Sequence, residues 1–162
     1  LNVTSHGYFN LNGEGSSEVL SHELFIDADQ ITELDDSQAP TGRFLPVEGT
    51  PFDFRSMHTI GKLMDSDYEQ YHKFGTYDHN FVINGTGFRM TCFTDQPGMQ
   101  LYVANQPIEV TGKNGTQYAC HTSVCLETQH FPDAINHDNF PSIVLTPDEP
   151  FRSKTLYHFS TF

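Results

Sequence analysis

The stretch Arg89-Met90-Thr91-Cys92-Phe93-Thr94-Asp95-Gln96-Pro97-Gly98-Met99-Gln100-Leu101-Tyr102-Val103-Ala104-Asn105 decides the fold class. Arg89–Asp95 and Met99–Asn105 read as two strands, rich in β-branched, aromatic and apolar residues. Asp95-Gln96-Pro97-Gly98 between them carries turn chemistry, because proline presets φ and glycine supplies the freedom a tight turn needs. Just upstream, Phe81-Val82-Ile83 runs into Asn84-Gly85 and Phe88 onward, which reads as a hairpin. Further upstream, Leu24, Ile26 and Ala28 share one face of a strand, while Glu23, Phe25, Asp27 and Asp29 share the other. Tyr118–Gln129 and Leu156–Phe162 are also strand-like. One stretch has helical spacing, through Ile60, Leu63, Met64, Tyr68 and Tyr71, with Ser56 or Thr59 available as a cap. Gln38-Ala39-Pro40-Thr41-Gly42 and Pro46–Pro51 read as loops inside one domain. Many short strands punctuated by Gly, Pro and Asn predict an all-β, antiparallel sandwich or barrel-like assembly.

Composition narrows the partners. The chain has 162 residues, 8 Lys or Arg against 21 Asp or Glu, and a formal net charge of −13. Nucleic acid and a polybasic membrane contact are excluded as partners, since both need a positive field. An uncharged substrate is compatible with this balance. Fourteen Phe and seven Tyr argue against disorder, although the hydrophobic content is only 36%. No apolar run approaches the ~20 residues that a membrane-spanning helix requires. The chain begins at Leu1 without Met or a signal-like apolar stretch, as expected of a processed product or a piece of a longer chain.

Cys92, Cys120 and Cys125 are an odd count, too sparse for a disulfide framework, and read first as free thiols. Pairing of Cys120 with Cys125, or of Cys120 with another chain, stays open. Asn-x-Ser/Thr sequons at Asn2, Asn84 and Asn114 are candidate glycosylation sites. With the missing Met they tilt the expectation towards a secreted protein, the alternative being cytoplasmic. Cys120, His121, Cys125 and His130 form the densest group of metal-binding residue types. Their spacing fits no zinc pair, and strand alternation scatters them over two faces, so no metal is expected. Phosphate loops, nucleophile elbows and zinc-helix motifs are absent from the sequence.

What remains is a few polar groups embedded in aromatic or apolar runs: His6, Asp78 and Glu127. A carboxylate in a strand otherwise suited to a core costs stability unless it is paired or used. Read singly, each is as readily a structural hydrogen-bonding group.

Their surroundings are more specific. Ser5-His6-Gly7-Tyr8-Phe9-Asn10-Leu11 resembles the N-H-S-Y-F-N-L segment of the aldose 1-epimerases (galactose mutarotases). Pro40-Thr41-Gly42 with Pro46–Arg55 resembles that family's P-T-G and P-V-x-G-T-x-F-D-x-R. Tyr77-Asp78-His79-Asn80-Phe81 is similar to F-D-H-N-F/Y, and Thr94–Tyr102 to T-x-Q-P-G-x-Q-x-Y. Cys125–Gln129, Pro132-Asp133-Ala134, Asn136 and Phe140-Pro141 resemble C-L-E-T-Q, P-D-A-x-N and F-P. Five segments in the right order identify the chain as a member of this family.

The resemblance implies a large antiparallel β-sandwich (a supersandwich) of which residues 1–162 are the carboxy-terminal half. It also implies general acid/base ring opening of a hexose such as glucose or galactose, with no cofactor. Glu127 carries over as the base, His6 as the acid and Asp78 as a substrate-binding residue; Gln96 is a weaker substrate-binding candidate. The family's earlier half supplies an Arg and a second His, and no matching segment is present. A complementary N-terminal chain of the same precursor is therefore an expected partner, held by packing or by a disulfide through Cys92 or Cys120. Departures at Ser5 and Gly7, where the family has Asn and Ser, and at Ala104-Asn105-Gln106, where members often carry Gly-Asn, keep an alternative open. That alternative is a secreted carbohydrate-binding or diverged protein on the same fold.

Overall fold

A computed structural model describes residues 1–16, 18–64, 76–77, 81–106 and 110–162. Twelve strands are described: β1 Glu23–Ile26, β2 Gln30–Leu34, β3 Pro40–Pro46, β4 His58–Thr59, β5 Thr76–Tyr77, β6 Phe81–Asn84, β7 Phe88–Thr94, β8 Gly98–Tyr102, β9 Val110–Thr111, β10 Gln117–Tyr118, β11 Cys125–Gln129 and β12 Thr155–Thr161. They form two five-stranded antiparallel sheets, ordered β12-β7-β6-β1-β4 and β11-β8-β5-β2-β3, plus the small β9–β10 pair. One core joins the large sheets. Leu24, Ile26, Ile83, Met90 and Cys92 from the first pack in the same cluster as Ile31, Met99, Leu101 and Leu126 from the second. The architecture is thus an all-β sandwich, and no described helix is long and apolar enough to cross a membrane.

The alternation around Leu24 holds. Leu24, Ile26 and Ala28 are buried, while Glu23, Asp27 and Asp29 are exposed. The β6–β7 hairpin also holds, with Asn84 opposite Arg89 and the Gly85 amide bonded to the Phe88 carbonyl. The turn through Asp95-Gln96-Pro97-Gly98 has a different role from a hairpin turn, because β7 and β8 lie in different sheets. It carries the chain across the sandwich.

Three expectations are corrected. Pro40-Thr41-Gly42 opens β3 instead of forming a loop; β3 is an edge strand, where a proline at the first position sacrifices no ladder bond. Tyr118–Gln129 breaks into β10 and β11, because His121 turns the backbone into the left-handed region at φ 59°. The helical stretch is a 3-10 turn over Ile60–Leu63, without a side-chain cap from Thr59. Tyr68 and Tyr71 of that stretch lie outside the described residues.

A second, smaller cluster covers the outer side of the β3 sheet. Phe131, Ala134 and Phe140 pack against Phe44 and Ile143. At the opposite edge a threonine relay ties the sheets together. The Thr155 hydroxyl lies 3.0 Å from that of Thr94 and 2.7 Å from that of Thr128.

Candidate active site

The site is assembled by strand register. β11 pairs with β8 so that Leu126 faces Leu101 and Thr128 faces Met99, on the core side. Alternation then places Cys125, Glu127, Gln100 and Tyr102 on the outer side of the same sheet. Along the free side of β11 runs the N-terminal segment, joined to it by an antiparallel bridge between Phe9 and Val124 with two 2.9 Å backbone hydrogen bonds. Three residues back on one segment and three forward on the other bring His6 opposite Glu127. Phe9 packs against the core, so His6 and Tyr8 fall on the outer face with Cys125 and Glu127.

The contacts agree with this register. His6 Nε2 lies 3.2 Å from Glu127 Oε1. The His6 ring stacks against Tyr8 at 5.1 Å between centroids and meets the edge of Tyr102 at 6.1 Å. Glu127 is 8% exposed, whereas the His6 side chain is 47% exposed. The base candidate is therefore fixed in the sheet, and the acid candidate reaches it from the rim. Burial raises the Glu127 pKa above the ordinary carboxylate range, opposed by the charge of His6 beside it. A carboxylate tuned upward accepts a proton more readily near neutral pH. Burial also pushes the Cys125 thiol up to about 12, with Glu127 adding to the effect. Behind the pair, the Tyr157 phenol donates to the Leu126 carbonyl at 3.4 Å. Ser5, the residue that departs from the family pattern, is exposed beside His6. At Gly7 a β-carbon would sit 3.2 Å from the Phe9 ring, so this departure suits the packing here.

The other sequence candidates fall elsewhere. Gln96 lies in the turn before β8 and is buried. Its amide nitrogen donates to Asp95 at 3.0 Å, and its oxygen is 3.0 Å from His130 Nδ1. Asp78 lies outside the described residues. Asn2 is exposed, and its amide bonds both backbone groups of His130. Asn84 is buried, with its oxygen accepting from Arg89 and its nitrogen 3.8 Å from Met57 Sδ. Asn114 sits exposed in a turn at φ 55°. All three cysteines are free; Cys92 and Cys125 are buried. Burial removes Cys92 from any bridge to another chain and leaves Cys120 as the accessible thiol. The Cys120–His130 group does not converge. His121 Nδ1 is 3.0 Å from the Val103 carbonyl, and His130 is taken by Gln96. Sequence reasoning missed Tyr8, Tyr102 and Cys125 as site residues, although the two-residue spacing of Cys125 from Glu127 already puts both on one face.

Comparison with known proteins follows the same outline. The aldose 1-epimerase family model matches residues 1–158. A rat galactose mutarotase is 39% identical, aligned over 99% of this chain and 50% of its own length. An Escherichia coli aldose 1-epimerase is 33% identical over 98% of this chain and 50% of its own. The crystal structure of an aldose epimerase homologue from C. elegans superposes with a TM-score of 0.88 at 28% identity, covering 99% of this chain and 51% of that one. The chain spans about half the length of the curated relatives it matches.

Proposed function

The chain belongs to the aldose 1-epimerase family, and from that premise we propose that it is the half of a mutarotase that carries the catalytic acid and base. The observation that carries this reading is the 3.2 Å pairing of half-exposed His6 with buried Glu127 on an open sheet face. The reaction is interconversion of the α and β anomers of a hexose such as glucose or galactose. Glu127 takes the proton from O1 while protonated His6 donates to the ring oxygen, and the C1–ring oxygen bond opens to the aldehyde. Rotation about C1–C2 presents the other carbonyl face. On reclosure His6 recovers its proton from the ring hydroxyl and Glu127 returns its proton to O1, so both groups end as they began. Each contact to the sugar takes ~2.7–3.0 Å, so the direct contact between acid and base must open to admit the substrate. His6 is the partner free to move. Asp78 is assigned to sugar hydroxyls by the family resemblance alone.

Activity requires a complementary N-terminal chain from the same precursor, which completes the pocket and the sandwich. Phe159 supports this. It pairs with buried Met90 across β12 and β7, faces the core side, and is still 54% exposed. β12, the last strand of its sheet, lies at this side, and beyond β11 only the single Phe9–Val124 bridge follows. The sequons support a secreted glycoprotein, with exposed Asn114 the best-presented acceptor; intact mass before and after deglycosylation tests that.

The catalytic test is polarimetry of freshly dissolved α-glucose and α-galactose with the chain co-produced with its N-terminal half. Glu127→Gln is expected to lower the enzymatic rate by about 10²–10⁴-fold, the contribution typical of a positioned acid or base. An unchanged rate refutes the assignment. Sugar binding without any turnover by the intact assembly would favour a purely carbohydrate-binding protein.

A further inference from the structure

The sheet face that holds the acid and base also holds a thiol, and the three make a donor set that proton transfer does not need. Cys125 and Glu127, two residues apart on β11, project from one face, and His6 lies over them from the register-matched segment. An imidazole nitrogen, the Cys125 sulfur and a Glu127 oxygen all lie within 4.8 Å of one another. We propose that His6, Cys125 and Glu127 form a three-ligand binding site for a thiophilic divalent cation of the zinc class.

The donor types select the ion. Nitrogen, sulfur and a single carboxylate are ligands zinc accepts, and a tetrahedral site places its ligand atoms about 3.5 Å apart. His6 and Glu127 are already closer than that, at 3.2 Å. The other separations, none above 4.8 Å, close by small side-chain rotations, with His6, the exposed member, the freest to move. Calcium and magnesium are disfavoured, because they demand several oxygen ligands and the site has one carboxylate and a sulfur. Burial of the thiol and carboxylate excludes competing water from two of the three donors. Coordination is a proton-for-metal exchange without redox change. The Cys125 S–H bond breaks, a sulfur–metal bond forms, and one proton leaves to solvent. Occupation ties up the imidazole nitrogen and carboxylate oxygen that would act on the sugar, so the ion competes with substrate. That last consequence rests on the mutarotase reading, whereas the binding site does not.

The test is a titration of the natively purified protein with Co²⁺, a coloured substitute for Zn²⁺, followed by displacement with Zn²⁺ against a chromophoric chelator. One equivalent is expected to bind with a thiolate-to-cobalt charge-transfer absorption that Zn²⁺ abolishes. Cys125→Ser should remove that absorption. His6→Ala, at a half-exposed position where folding is not at stake, should weaken Zn²⁺ by about tenfold or more. Cys120→Ser should leave both unchanged. Absence of the absorption, its persistence in Cys125→Ser, or its loss in Cys120→Ser overturns the proposal. Anomer interconversion measured on the same samples separates the two readings. Stoichiometric cobalt binding without turnover sinks the mutarotase and keeps the metal site; turnover without cobalt binding does the reverse. Turnover unaffected by one bound equivalent of Zn²⁺ overturns the competition.

Discussion

Replacing Gly42 by alanine tests whether the outer aromatic cluster is locked to β3 by one close backbone approach. Gly42 has φ +86°, where a β-carbon meets the following carbonyl and costs about 1–2 kcal/mol. That methyl group would also lie 2.7 Å from Nδ1 and 3.2 Å from Cε1 of His137, inside any tolerable contact. The ring has little room to yield. Its Nε2 donates to the Pro40 carbonyl at 2.9 Å and lies 3.4 Å from the Asp133 carboxylate, and the ring packs on Phe140 at 5.0 Å. Displacing it loses a hydrogen bond of about 1 kcal/mol and disturbs packing by a similar amount. Gly42→Ala is therefore expected to destabilise by about 3 kcal/mol, measured by urea denaturation. Gly87 supplies the control. It has φ +79° and nothing within 4 Å of an added methyl, so Gly87→Ala should lose only the conformational part, about 1–2 kcal/mol. In a His137→Ala background, Gly42→Ala should fall to that same figure. Equal losses at Gly42 and Gly87, or no relief from removing the ring, would refute the close-approach argument.

Other outcomes follow from single groups. His22 is buried, its Nε2 accepts the Leu11 amide at 3.0 Å, and its Nδ1 has no hydrogen-bond partner among the described residues. Burial lowers its pKa below 6.5, so the unfolded chain binds the proton first. Stability should be complete above about pH 6.5 and decline as pH falls below it, and His22→Gln should flatten that slope in melts recorded across the range. Thiol titration of the native protein should find Cys120 alone, with Cys92 and Cys125, both pushed up to about 12 by burial, reacting only after unfolding. Reaction of all three at one rate would contradict the packing of β7 and β11. Tyr157→Phe removes the phenol's hydrogen bond to the Leu126 carbonyl and should lower stability by about 1 kcal/mol in the same urea assay.

How much of this was legible in the sequence depended on the range of the interaction involved. Leu24, Ile26 and Ala28 announce their strand because a half-buried strand repeats every two residues. The β6–β7 hairpin was visible because its turn and both strands are contiguous. Asp95–Gly98 carries the residues of a turn, but a turn that crosses between sheets uses the same residues as one that closes a hairpin. Only the remote pairings of β7 with β12 and of β8 with β11 distinguish the two. Tyr118–Gln129 looked continuous because nothing local marks His121 as left-handed. Its backbone is held by Val19 and Ala104, far away in sequence. In the site, Glu127 and His6 stand out locally as polar groups in aromatic or apolar runs, but only the family resemblance pairs them, since no local pattern joins residues so far apart in the chain. Cys125 is available from spacing alone, but in the sequence it sits among Cys120, His121 and His130, and the fold separates it from the two histidines, which bond the Val103 carbonyl and Gln96.

The bridge between Phe9 and Val124 has a consequence for how the molecule matures. A slip of one residue between these segments would turn His6 towards the core, and a slip of two would set it opposite Cys125 or Gln129. His6 and Glu127 thus meet only when residues far apart in the chain have closed upon each other, among the slowest contacts to form in a chain of this topology. Competence at this face is a property of the finished molecule, and a half-folded intermediate has no means of displaying it.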